Sequence, residues 1–242
     1  MDWSNPLPDV FSLHGAGTTS RTLRACPNGL QLASSTVFPR DCQTMKLAHR
    51  ALVKLLQKAY SAERAAAFAY IGHAASLKSA EAKAAVKQIE VDEWNHRENV
   101  LRLMNLYEVP VSRSDEARFY VIGRIISASC HVIGQFMPFF FAGKLESGNV
   151  CEYFVMMRHF HSLGIREHDA MLYEMGMKEK EHEVYFLEQV KTSRLLPLFE
   201  RLFGWGPGAT ANNVDLARPL PLDESGRYCE NYPEEAAPGR DA

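Results

Sequence analysis

Several features that would indicate other classes of protein are missing from this chain of 242 residues. It has 27 Lys and Arg against 29 Asp and Glu, so no basic excess predicts a nucleic-acid partner. The nearest approach to a membrane span, residues 132–142, is interrupted by Gly134, Gln135 and Pro138 and falls short of the roughly 18 apolar residues required. No basic stretch precedes an apolar run at the N-terminus, so no signal peptide is expected.

Cysteine is scarce and widely spaced, and no C-x-x-C occurs. An odd number of cysteines without close pairs argues against a disulfide framework, a zinc knuckle and a rubredoxin-type iron site. A reducing cytoplasm fits this pattern better than secretion, so we predict a cytoplasmic protein. The five residues are Cys26, Cys42, Cys130, Cys151 and Cys229.

Strand-like alternation is also absent, and the chain is predicted to be all-α. Ala- and Leu-rich helices are expected over residues 47–76 and 80–107, and two more over 149–163 and 165–191. Between these pairs we predict a bent connecting helix (113–143), followed by a turn at Gly143–Gly148. Residues 1–45 are expected to be an extension of low order, 46–203 the helical domain and 204–242 a Pro- and Gly-rich tail.

Two Glu-x-x-His motifs lie on predicted helices, one at Glu93 and His96 and the other at Glu179 and His182. Three residues along a helix place two side chains about 60° apart, so one metal ion can reach both. A lone copy of this motif is common on solvated helix faces and indicates little. In helix-bundle di-metal proteins, two helices each supply Glu-x-x-His and the other two each supply a Glu.

Glu63 and Glu152 are candidates for the two glutamates that the other helices would supply, because each would lie level with a Glu-x-x-His motif in the folded bundle. Glu63 and Glu93 are each about 15 residues, or roughly 22 Å, from the break near Lys78, so folding back brings them level. Glu152 and Glu179 stand in a similar relation to the predicted turn near Gly164. An unpaired carboxylate among the Ala residues after Glu63 would be costly unless a cation neutralised it. The alternatives are that Glu63 pairs with a nearby base and that Glu152 simply starts a helix.

The residues around these acids resemble the ferritin-like di-iron carboxylate superfamily, most closely the demethoxyubiquinone hydroxylase family. The likeness covers about residues 50–190 and rests on AAAFAYIGH after Glu63, IEVDEWNHRENV, the apolar segment ending in Gly143-Lys144, and KEKEHEVYFLE. It implies a ferritin-like four-helix bundle with a long crossover helix between helices 2 and 3. It also implies two iron ions that activate O2 to hydroxylate an apolar, quinone-like substrate at or near a membrane surface.

The resemblance and the spacing together predict six iron ligands, with Glu93 and Glu179 as the bridging, catalytic pair by analogy. The third-helix acid departs from the family pattern, because Glu152 follows Lys144 by only eight residues. Glu146 and Glu167 are therefore alternatives at that position. Manganese also suits a carboxylate-rich site. The predicted ligands are Glu63, Glu93, His96, Glu152, Glu179 and His182.

We expect an O2-dependent di-iron monooxygenase with a hydrophobic small-molecule substrate. An external electron donor would be needed, because neither rubredoxin cysteines nor a flavin motif occurs. The alternative is a ferritin- or rubrerythrin-like iron-binding, ferroxidase or peroxidase protein without an organic substrate. A weaker alternative is a helical scaffold without metal.

Two apolar segments, 137–143 and 195–205, could line a substrate channel, contact a membrane surface, form a homodimer face or pack in the core. His159 is an additional ligand, a residue that orients one, or an ordinary histidine. Tyr60 or Tyr70 could donate to a carboxylate or carry a radical.

Overall fold

The structure is a computed structural model that describes residues 46–210 and 212–232. Across these residues the chain is all-helical, with no named strand, and the prediction of an all-α chain is confirmed there. The predictions for residues 1–45 and 233–242, together with Cys26 and Cys42, lie outside the described residues. The helices are α1 (Arg50–Ser76), α2 (Ala80–Leu106), α3 (Arg113–Ser129), α4 (Phe136–Ser162), α5 (Asp169–Val190), α6 (Leu196–Phe203) and a 3-10 helix (Leu222–Arg227).

The first two helices have the expected bounds to within a few residues, and side-chain caps fix where they begin. Nδ1 of His49 accepts a hydrogen bond from the backbone N–H of Leu52 at 3.1 Å, at the start of α1. The Ser79 hydroxyl accepts from Ala82 at 3.2 Å at the start of α2. Each cap satisfies a backbone donor that has no partner inside the helix. The short connection of residues 77–79 folds α2 back along α1.

The fourth helix begins 13 residues earlier than predicted, and the predicted turn at Gly143–Gly148 lies inside it. Pro138 is the third residue of α4, where its missing N–H would have had no intrahelical partner, so it does not break the helix. A Cβ at Gly143 would lie 2.2 Å from the indole ring of Trp205, so that glycine permits a close contact rather than a turn. A Cβ at Gly148 would meet only the hydroxyl of Tyr232, at 3.5 Å.

The chain beyond residue 203, predicted as a tail, packs against α4 and α5 as far as residue 232. Trp205 and Tyr228 are buried, and the 3-10 helix contacts both helices. A disulfide joins Cys151 of α4 to Cys229, so the expectation that the cysteines form no disulfide is wrong for this pair. The two lie 78 residues apart, and only the packing of this segment brings them together. Cys130 is a buried free thiol.

The helices pack around two apolar clusters. α1 contacts α2, α3 and α4, and α4 contacts α5 along much of its length. One cluster contains Leu56, Val100 and Phe154, and the other contains Tyr70, Phe140 and Phe186. No helix among residues 46–210 and 212–232 is both long and apolar enough to cross a membrane.

Candidate metal centre

Five of the six predicted ligands come together from three helices, and all five are buried. Glu63 projects from α1, and α2 and α5 each supply a Glu-x-x-His pair. Nδ1 of His96 lies 2.8 Å from Oε1 of Glu179, which joins α2 to α5. Nδ1 of His182 lies 3.4 Å from Oε1 of Glu93, which joins α5 to α2 a second time. The five are Glu63, Glu93, His96, Glu179 and His182.

The structure places Glu146, not Glu152, beside these residues, so the prediction of Glu152 as a member of the group is corrected. Glu146 is fully buried on α4. The Glu152 carboxylate is 19% exposed and accepts from Nζ of Lys58 at 2.7 Å in an ion pair, and it is not among the clustered side chains. Because α4 starts earlier than predicted, Glu146 lies within the helix and not in the turn expected there. The other alternative, Glu167, is exposed near the Tyr107 hydroxyl.

The six side chains form two overlapping groups of four, and each group could hold a metal ion. Within each group one ligand atom from every residue lies within 4.8 Å of the others. Glu93 and Glu179 belong to both groups. The first group is completed by Glu63 and His96, and the second by Glu146 and His182.

Several of the oxygen and nitrogen atoms in these groups are buried without a hydrogen-bond partner among the described residues. The short contacts between them lack the geometry of a hydrogen bond, and buried polar atoms left in this state cost free energy. A cation at each group would satisfy them, so the residues present fit a pair of metal ions. The atoms are Oε2 of Glu63, both carboxylate oxygens of Glu93 and of Glu179, and Nδ1 of His96 and of His182.

The charges of the cluster show the same need for a cation. Burial raises the pKa of Glu63, Glu93 and Glu146, and the nearby Glu179 carboxylate raises the pKa of each further. Burial would raise the pKa of Glu179 too, but His96 and the other neighbours outweigh it and lower that pKa. A divalent cation among these carboxylates would oppose the shifts that raise their pKa, because its charge favours the ionised form.

Four further side chains orient these groups. The hydroxyl of Tyr153 donates to Oε1 of Glu63, and that of Tyr70 donates to Oε1 of Glu146. Nδ2 of Asn149 donates to the other oxygen of Glu146 at 2.9 Å. Nε2 of His182 lies 3.1 Å from Oδ2 of Asp92, which leaves Nδ1 directed at the cluster. Such outer partners fix the ring and tautomer of a ligating histidine.

Tyr70 donates to a carboxylate, as the sequence predicted, and that carboxylate belongs to Glu146; Tyr153, Asn149 and Asp92 were not predicted. A signal existed for Asp92, since this acid directly precedes Glu93. The roles of Tyr153 and Asn149 could be predicted only from the position of α4, and the sequence did not indicate that position. Tyr60, the other predicted donor, instead lies under the guanidinium of Arg97, 3.6 Å from it.

The other histidines between residues 46 and 232 lie outside the two groups. His159 contacts the ring of His49, 4.7 Å between centroids, rather than joining the cluster. His161 lies 2.7 Å from a carboxylate oxygen of Asp169. His73 is buried between Phe139 and Phe186, and burial lowers its pKa to about 4.

An apolar cavity of about 440 Å³ opens beside the cluster between α1, α3 and α4. Glu63 and Glu146 form part of its wall, so the cavity reaches two of the possible ligands. Most of the remaining wall is hydrocarbon or aromatic, including Ala69, Ile126 and Phe141. The arrangement can therefore hold an apolar molecule next to a polar, charge-balanced centre.

The residues of the two apolar segments, 137–143 and 195–205, lie in different environments. Phe140 packs in the core against Phe199 and Trp205, which joins the start of α4 to α6. Leu198 and Leu202, on the other side of α6, are exposed. Core packing thus accounts for Phe140 and Trp205, whereas Phe141 lines the cavity and Phe203 is exposed together with the two leucines.

No protein-family model, no curated protein and no solved structure matches this chain.

Proposed function

We propose that this chain is a ferritin-like four-helix di-iron protein that uses O2 to hydroxylate an apolar, quinone-like molecule. One observation carries the proposal: two overlapping groups of buried Glu and His, sharing Glu93 and Glu179, border an apolar cavity. Four carboxylates and two histidines from four helices are the ligand set of di-iron and di-manganese helix bundles. In this proposal α1, α2, α4 and α5 form the bundle and α3 is the crossover helix.

The cavity favours an organic substrate over simple iron oxidation. An iron-storing or ferroxidase site needs a route for ions, and such a route is lined by acidic or other polar groups. The wall of this cavity is mostly apolar, and its acidic groups are Glu63, Glu146 and Glu152. A molecule with a hydrocarbon or aromatic body would exclude water there and place one end beside the ligands.

Each part of the site has a role in this proposal. Bound iron would supply the binding and reductive activation of O2. The Tyr153 and Tyr70 hydroxyls hold the carboxylates of Glu63 and Glu146, and Asp92 accepts the Nε2 proton of His182 so that Nδ1 stays free to ligate. The electrons would come from an external donor. The exposed leucines of α6 would bring the cavity near a membrane surface that holds the substrate.

Anaerobic loading with Fe(II), followed by exposure to O2 with and without a quinone analogue, tests the proposal. We expect two irons per chain, an absorbance change on exposure to O2, and O2 consumption that the analogue stimulates. Glu93→Ala should abolish all three, because Glu93 belongs to both groups. Glu98→Ala is the matched control, since Glu98 is an exposed acid on the same helix, paired with Arg102.

A second variant tests substrate binding separately from metal binding. Ala69→Phe places a ring in the cavity and replaces no possible ligand, so it should keep both irons and lose the stimulation by the analogue. O2 consumption in the wild type that is indifferent to every apolar compound would favour the iron-binding, ferroxidase or peroxidase alternative. A wild-type chain that takes up no iron would contradict the proposal.

A further inference from the structure

A fully hydrogen-bonded polar cluster lies next to the candidate metal centre, on a segment that the sequence suggested was a tail. The side chain of Asn212 is buried between α4 and α5. Its Oδ1 accepts from Nζ of Lys180 at 3.0 Å, and its Nδ2 donates to Oε2 of Glu183 at 3.0 Å and to the hydroxyl oxygen of Ser147 at 3.1 Å. Nδ2 also donates to the backbone carbonyl of Ser147.

The same cluster contains a buried ion pair. Nζ of Lys180 donates to Oε2 of Glu183 at 2.7 Å, and the indole N–H of Trp205 donates to Oε1 of Glu183 at 3.0 Å. Lys180 and Glu183 are both buried, so the pair depends on Asn212 and Trp205 to complete its hydrogen bonds. A buried network that is satisfied in full holds its members in one arrangement.

Each helical member of this network is the chain neighbour of a possible ligand. Ser147 follows Glu146 on α4, Lys180 follows Glu179 and Glu183 follows His182 on α5. Adjacent residues on a helix point about 100° apart, so one face of α5 meets the cluster of ligands while the next face meets Asn212. Fixing that second face fixes the rotation of α5 about its axis.

The effect of a small rotation on the ligands is large. A side chain ends about 5–6 Å from the helix axis, so a 10° rotation moves its end by roughly 1 Å. Ligating geometry tolerates about 0.5 Å. The segment cannot drift away either, because the Cys151–Cys229 disulfide and hydrogen bonds from Arg158 to the carbonyls of residues 228 and 229 fasten it to α4.

We propose that Asn212 is a positioning residue for the metal centre, holding α4 against α5 so that Glu146, Glu179 and His182 stay at ligating distance. Asn212 touches no ligand, and it acts through Ser147, Lys180 and Glu183. The inference rests on the proposed metal site, and it assigns to the C-terminal segment a role in metal affinity in addition to stability.

Titration of the metal-free chain with Co(II), followed by its visible absorption, tests this role. Asn212→Ala should weaken the binding of at least one ion by about tenfold or more, the loss typical of partners outside the ligand shell, and should change the cobalt absorption bands. Trp205→Phe removes one donor to Glu183 and keeps an aromatic ring at this position, so it should weaken binding in the same direction by less. It also serves if Asn212→Ala does not fold.

Val190→Ala is the matched control, because Val190 is a buried residue of α5 eight positions after His182 and outside the network. It should lower the melting temperature by a similar amount and leave cobalt affinity and absorption unchanged. Equal affinity in Asn212→Ala and the wild type, or an equal loss in Val190→Ala, would overturn the inference. A wild-type chain that binds no Co(II) or Fe(II) would instead overturn the metal site itself.

Discussion

Exchanging glutamate for glutamine at two positions of α4 separates the observed arrangement from the one expected from the sequence. Glu146→Gln removes a charged ligand from the second group only and leaves Glu63, Glu93, His96 and Glu179 untouched. The amide keeps the shape of the side chain and can still accept from Tyr70, so the fold should survive. We expect the metal content to fall from two ions per chain to one.

Glu152→Gln removes the ion pair with Lys58, whose side chain is 43% exposed. The loss of such an ion pair should cost less than about 1 kcal/mol. A carboxylate outside both groups contributes no ligand, so this variant should keep two ions per chain. Both exchanges replace one carboxyl group of the same helix by an amide of the same shape, and each is therefore the control for the other.

The metal-dependent stability gives a second measure of the same difference. At a free metal concentration of 100 times Kd, each bound ion stabilises the fold by about 2.7 kcal/mol, so two ions contribute about 5 kcal/mol. For a domain of this size 1 kcal/mol corresponds to about 2–4 °C in Tm. Metal should therefore raise the Tm of the wild type and of Glu152→Gln by roughly 10–20 °C, and that of Glu146→Gln by about half as much.

The assays are metal analysis after gel filtration and scanning calorimetry under anaerobic conditions, each with and without Fe(II). If Glu152→Gln lost an ion and Glu146→Gln kept two, the geometry of α4 described above would be refuted. Two ions in both variants would show that neither acid is a ligand.

Three further outcomes follow from other parts of the fold. The pKa of His73, lowered to about 4 by burial, means that the fold loses stability as pH falls from 6.5 towards 4, by roughly 3 kcal/mol; His73→Phe should flatten that loss in urea titrations at several pH values. Gly143→Ala should cost about 1–3 kcal/mol by the same titration because the methyl group overlaps the indole ring, whereas Gly148→Ala should be neutral or gain up to about 1 kcal/mol. Replacing Cys151 and Cys229 by alanine should cost about 2–5 kcal/mol, measured by the melting temperature.

The sequence predicted best what depends on local periodicity. α1 and α2 have uninterrupted helical composition and a short polar break, and each Glu-x-x-His motif needs only one helix to bring its two side chains together. The predicted heights of Glu63 and Glu93 required one further assumption, an antiparallel pair. These parts of the site were therefore accessible from spacing alone.

The position of α4 was not accessible in this way. Its first half contains Pro138, Gly143 and Gly148, which normally indicate a turn. Here the proline falls in the first turn of the helix and Gly143 accommodates Trp205, which lies 62 residues further along the chain. A contact over that separation leaves no periodic signal, so the third-helix ligand was assigned six residues too late. The disulfide was missed for the same reason.

The possible ligands occupy a single layer between the two apolar clusters. On each of the four helices, residues of one cluster precede the ligand position and residues of the other follow it. Burying the carboxyl groups there costs free energy in the metal-free chain, and the clusters on both sides must offset that cost. Under the proposed function, bound metal removes this cost and becomes part of what stabilises the fold. The flanking pairs are Leu56 and Tyr70 on α1, Ile89 and Val100 on α2, Phe140 and Val150 on α4, and Met175 and Phe186 on α5.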